Sequence, residues 1–71
     1  MNDCHVAMEL ALASLDTGAK SSNQIARDLY FDHEPGLALL ADAIVALLAA
    51  GYVRYTAQRD DNGNRVLERV R

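Results

Sequence analysis

The chain has 71 residues, a formal net charge of −3 and apolar side chains at 51% of its positions. A chain this short buries only about 60% of the surface its unfolded form exposes, so it holds one core, and residues 1–71 are expected to form a single domain. The lone cysteine, Cys4, excludes an internal disulfide and suits a reducing compartment.

No basic stretch precedes an apolar one at the N-terminus, so no signal peptide is expected. The apolar run from Leu37 to Val53 is at the short limit of a membrane span. Asp42 would cost about 2.5–3.5 kcal/mol near its middle, which favours a soluble, cytoplasmic protein. Charge is unevenly placed. Residues 1–50 carry two basic and seven acidic side chains, a balance of −5, whereas residues 51–71 carry five Arg against three carboxylates, a balance of +2.

In chain order, the first periodic segment runs from about Asp3 to Leu15. Val6, Leu10 and Ala13 form one stripe and Met8, Leu12 and Leu15 an adjoining one, as an amphipathic helix requires. Asn2 or Asp3 can cap it, and Asp16-Thr17-Gly18 ends it, with Gly18 suited to a left-handed terminus. Ser21 and Gln24 then have the spacing of a capping box, which predicts a short helix over about residues 22–30 with Ile25, Ala26 and Leu29 inside. Tyr30 to Gly36 is a break in which Asp32 is the expected cap and Pro35 fits the first turn of the next helix.

That third helix is expected over about residues 35–50. Leu37, Leu40, Ile44, Leu47 and Leu48 face the core, and Ala38, Asp42, Val45, Ala46 and Ala49 face away. Gly51 stops it. Residues 52–58 and 65–70 read as a β-hairpin around Asn62-Gly63. A two-residue type I′ turn there sets Tyr55 opposite Val70 and Asp60 opposite Arg65. Val53, Tyr55, Ala57, Val66 and Val70 then share one face, and Arg54, Arg69 and Arg71 the other. A three-residue loop with a bulge would break that grouping.

Ser22-Asn23-Gln24-Ile25-Ala26-Arg27-Asp28-Leu29 and Leu47-Leu48-Ala49-Ala50-Gly51-Tyr52-Val53 resemble the second helix, and the passage into the wing, of the winged helix-turn-helix superfamily of small prokaryotic or phage regulators. The resemblance covers nearly the whole chain. It implies an α+β fold, a three-helix winged helix-turn-helix with a C-terminal two-stranded β-hairpin wing, in which the third helix reads DNA and the wing touches phosphate or the minor groove.

On that expectation the domain binds duplex DNA, weakly or as a dimer, as a transcriptional regulator. Arg54, Arg59, Arg65 and Arg69 are the phosphate-contacting residues on the wing, and Arg27 and Lys20 those around the second helix. Base edges are read by hydrogen-bonding side chains, yet Gly36 to Val45 offers only Asp42, a carboxylate that a polyanion repels. The alternative expectation is therefore a protein-interaction module that docks through Ala38, Asp42, Val45, Ala46 and Ala49, on a partner or a second copy, and never touches DNA. Cys4, His5 and His33 lack the paired spacing of metal ligands, and no catalytic constellation or phosphate loop is present. No cofactor, metal or enzymatic activity is expected.

Overall fold

The computed structural model describes residues 3–71, and the capping reading of Asn2 falls outside them. The fold is α+β, with three helices and one three-stranded antiparallel sheet. Its elements are α1 (Asp3–Leu15), β1 (Lys20–Ser21), α2 (Ser22–Asp28), α3 (Gly36–Ala49), β2 (Val53–Arg59) and β3 (Arg65–Arg69). The sheet order is β1-β3-β2. The expected two-stranded hairpin thus gains a third strand, with Lys20 paired to Leu67 and Ser21 to Val66. Two residues between a helix stop and a capping box carry no strand periodicity of their own, so only the tertiary partner reveals β1. No helix among the described residues is long and apolar enough to cross a membrane.

The core draws on every helix and on both hairpin strands. Ile25, Leu40, Leu47 and Leu67 are almost wholly enclosed, and Met8, Leu12 and Phe31 pack around them. In α1 the buried stripe is Ala7, Ala11, Ser14 and Leu15. The expected Val6–Leu10–Ala13 stripe is exposed instead. α1 lies chiefly against α3, which buries Ala43, and small residues on both helices let the backbones approach closely. A stripe chosen by side-chain size misses an interface chosen by smallness.

Two helix ends use the same geometry with different residues. After α3, Gly51 takes φ +78°. Its N–H donates to the Leu48 carbonyl at 3.1 Å and the Tyr52 N–H to the Leu47 carbonyl at 3.0 Å, the paired bonds of a Schellman cap. After α2, which ends two residues earlier than expected, Tyr30 takes φ 59° in the same role. The Tyr30 N–H donates to the Arg27 carbonyl at 3.3 Å and the Phe31 N–H to the Ala26 carbonyl at 2.7 Å. α3 begins with Pro35 as its cap and no side-chain bond, so Asp32 does not serve there.

The hairpin departs from the expected register. The Asp60 N–H donates to the Asn64 carbonyl at 2.9 Å and the Gly63 N–H to the Asp60 carbonyl at 3.0 Å, with Gly63 at φ +83°. That is a three-residue loop over Asp61, Asn62 and Gly63, not a type I′ turn. The Asp60 carboxylate selects it by accepting from the N–H groups of Asn62 and Asn64, both at 2.9 Å. Tyr55 consequently pairs with Leu67, Val53 with Arg69 and Arg54 with Glu68, and the ladder is irregular between Tyr55 and Arg59. By strand alternation Val53, Tyr55, Leu67 and Arg69 share a face, and Val66 lies on the other side with Arg54. The expected grouping of Val66 with Val53, and of Arg69 with Arg54, is overturned.

Left-handed backbone costs an ordinary L-residue about 1–2 kcal/mol, of which part is offset by the greater freedom of glycine in the unfolded chain. Gly51→Ala should therefore lower the unfolding free energy by about 1 kcal/mol, and Tyr30→Gly should raise it by a similar amount. Urea denaturation of the two variants checks the pair, and shifts of the same sign would contradict the shared-cap account.

Candidate functional site

The cations expected to meet phosphate are largely engaged within the chain. Arg69 sets Nη1 against both carboxylate oxygens of Asp16, at 2.8 and 2.9 Å, and its Nε donates to the Arg71 carbonyl. Arg54 Nε donates to Glu68 directly across the ladder. The Lys20 ammonium turns onto the end of α1. It donates to the carbonyls of Ser14 and Gly18 and to Thr17 Oγ1 at 2.6 Å, with Asp28 at 3.9 Å. A cation at the carbonyl end of a helix complements its dipole, so Lys20 braces the C-terminus of α1.

Arg27, Arg59 and Arg65 have no carboxylate partner among the described residues, and neither has Arg71. Arg59 and Arg65 stand opposite each other in the sheet, an unfavourable like-charge pair. Each is drawn aside. Arg59 Nη1 donates to the Gly63 carbonyl at 2.8 Å, and the Arg65 guanidinium lies 4.7 Å above the Tyr55 ring. Arg27 is exposed on α2 and lines a cleft with Asn23, Asp32, Leu37 and Asn62, which brings the hairpin loop beside the second helix.

That juxtaposition is held by Ser21 and Asp60. Ser21 is fully enclosed and caps α2: its Oγ accepts from the Gln24 N–H at 3.3 Å, while its own N–H donates to Gln24 Oε1 at 2.9 Å. The same Oγ donates to Asp60 Oδ2 at 2.6 Å. The capping box read from the sequence is therefore also the clip that seats the hairpin loop. Hydrogen bonds from Ser21, then from the Asn64 and Asn62 N–H groups, hold the Asp60 carboxyl below its ordinary range.

Beside the clip lies an open groove of about 280 Å³ between the start of α2, one shoulder of α3 and Tyr55 of β2. Its α3 wall is Leu37, Ala41, Val45 and Leu48, at helical spacing, above the buried Leu40 and Ile44. Leu37, Val45 and Tyr55 expose 38%, 65% and 43% of their surface, so the groove presents large apolar groups to solvent. Of the residues expected to meet a partner, Val45 alone lines it. Ala38, Asp42 and Ala49 are exposed beyond its rim, and Ala46 is half-buried.

The expected face meets this groove only at Val45, whereas Leu37 and Leu48, which read as core, and Tyr55, which read as an inward strand residue, line it. The Leu37–Ala41–Val45 spacing, i, i+4, i+8, was the available signal. Among the described residues no three His, Cys, Asp or Glu side chains come together to hold a metal ion. No protein-family profile, curated protein or solved structure matches the chain.

Linkage gives Asp60 a definite pH signature. Its folded carboxyl ionises more readily than the ordinary 3.8 of the unfolded chain, so its contribution is complete above that value and is lost as pH falls through the lowered one. Urea midpoints measured at pH 7 and pH 3 should fall further in the wild type than in Asp60→Asn. Ser21→Ala, which removes the largest cause of the shift, should narrow the difference as well.

Proposed function

We propose that this domain is a winged-helix protein-interaction module that receives an apolar segment of a partner in the groove between α2, α3 and β2. The winged-helix reading is supported by the helix, strand, helix, helix, hairpin order, with β1 pairing to β3 and the Gly51 cap leading directly into β2. The docking reading rests on one observation: the shoulder of α3 beside the wing carries Leu37, Ala41 and Val45 where base recognition needs donors. Covering the 38% of Leu37 and 65% of Val45 that remain exposed contributes on the order of 1 kcal/mol each. Moving Lys20, Arg54 or Arg69 to a phosphate instead requires each to leave a carboxylate or a set of carbonyls it already holds.

The second reading, a transcriptional regulator that grips the duplex backbone, is favoured by Arg27, Arg59 and Arg65, which have no carboxylate to give up. A photo-crosslinking side chain in place of Val45 separates the two. Docking predicts a protein adduct of one discrete mass in cells, lost when Leu37→Asp is added. The regulator reading predicts binding to random duplex DNA at low salt, with a log–log salt slope of about −0.9 per phosphate engaged, flattened by Arg27→Ala, Arg59→Ala and Arg65→Ala together. The second pattern without the first overturns the docking proposal.

A further inference from the structure

We propose that Asn62 is a self-modifying site, at which the Gly63 nitrogen attacks the side-chain amide and a carboxylate replaces it, at a rate set by the hold of Asp60 on the hairpin loop. The reaction needs an Asn amide that is exposed and free to move, followed by a residue with no side chain to shield its nitrogen. Asn62 and Gly63 are both exposed. No hydrogen bond holds the Asn62 side-chain amide among the described residues, and a Cβ added to Gly63 would meet nothing within 4 Å, so space for ring closure is open. The other described asparagines are placed differently. Asn23 precedes Gln24 within α2, whose N–H is committed to Ser21 Oγ in the capping box. Asn64 directs Nδ2 to Asp60 Oδ2 at 3.5 Å and is followed by Arg65, the first residue of β3.

Restraint on Asn62 centres on Asp60. The Gly63 N–H donates to the Asp60 carbonyl at 3.0 Å, and the Asp60 carboxylate accepts from the N–H groups of Asn62 and Asn64. The attacking nitrogen must leave that carbonyl before it can react. One exposed hydrogen bond has a small net worth, so it slows the reaction about three- to tenfold and does not block it. Ser21 supports the hold, because its Oγ fixes Asp60 at 2.6 Å.

Once released, the Gly63 N–H gives its proton to hydroxide and the nitrogen bonds to Cγ of Asn62. The Cγ–Nδ2 bond breaks, Nδ2 takes a proton from water and leaves as ammonia, and a cyclic imide remains. Water then opens the ring. Attack at Cγ leaves an aspartyl residue, and attack at the main-chain carbonyl leaves an isoaspartyl residue whose chain runs through Cβ and Cγ. Overall one water is consumed and one ammonia released. Either product takes the formal charge of the chain from −3 to −4. The new carboxylate stands in the cleft that Asn62 shares with Arg27 and Asp32, which then holds one cation against two carboxylates. The age of a molecule is thereby written into the charge of this cleft.

The test incubates the whole chain, folded in buffer and unfolded in guanidinium chloride at the same pH, and follows each asparagine by peptide mapping with mass and isoaspartyl detection. In the folded chain, acid should accumulate at residue 62 ahead of Asn23 and Asn64, in both isomers, faster as pH rises and about three- to tenfold slower than in the unfolded chain. Ser21→Ala, where it still unfolds cooperatively, should recover most of that difference, and Gly63→Ala should lose most of the conversion. The ratio of folded to unfolded rates in the wild type tests the hold without any variant. Conversion at Asn62 that is absent from the folded chain, or no faster than at Asn23 and Asn64, overturns the site. Equal rates in the folded and unfolded wild type, or a folded Ser21→Ala with the wild-type rate, overturn its control through Asp60.

Discussion

The enclosed hydroxyl of Ser21 is the point on which the arrangement turns. One oxygen accepts from the Gln24 N–H at the start of α2 and donates to Asp60 in the hairpin loop, while its backbone pairs with Val66 of β3. Only a side chain that both donates and accepts meets those demands, and a site with no exposed surface has no room for much beyond serine. Helix start, third strand and hairpin position are thereby coupled. The loop that Asp60 organises is held against α2 by a charge-assisted bond, not by apolar contact.

What was legible in the sequence was local. The Ser21–Gln24 box and the Gly51 stop depend on residues within one turn of each other, and both stand as read. The register of the hairpin was not legible. Asn62-Gly63 favours a two-residue turn on its own, and the competing preference comes from the Asp60 carboxylate, whose position is fixed by a bond to a residue 39 positions away. On α1 the Met8–Leu12–Leu15 stripe packs against the core as read, whereas the Val6–Leu10–Ala13 stripe does not, because Ala7 and Ala11 gain their value from α3, which the local periodicity does not contain. The α+β class followed from elements, whereas the third strand followed from pairing.

The candidate site was half legible for electrostatic reasons. A count of arginines finds a basic hairpin, but a charge acts on a ligand only after its neighbours in the fold are subtracted. Asp16 and Glu68 neutralise Arg69 and Arg54 from a helix end and from the paired strand. Exposed ion pairs of this kind add little to stability. Their effect here is on recognition, since they compensate Arg54 and Arg69 and leave Arg59, Arg65 and Arg71 as the hairpin cations without a carboxylate partner among the described residues.

That shoulder is positioned by the connection between α2 and α3. Tyr30, itself 90% exposed, turns the chain through a left-handed conformation, and the ring gains no burial in return. The turn sends Phe31 back toward the core, where its backbone lies so close to Gly36 that an added Cβ would stand 3.1 Å from Phe31 Cα. A glycine at that contact lets α3 start hard against Phe31, which leaves the next residue, Leu37, at the mouth of the groove and not in the core. Tyr30, Phe31 and Gly36 thus fix together where α3 begins, and with it the place of Leu37 at the rim of the groove.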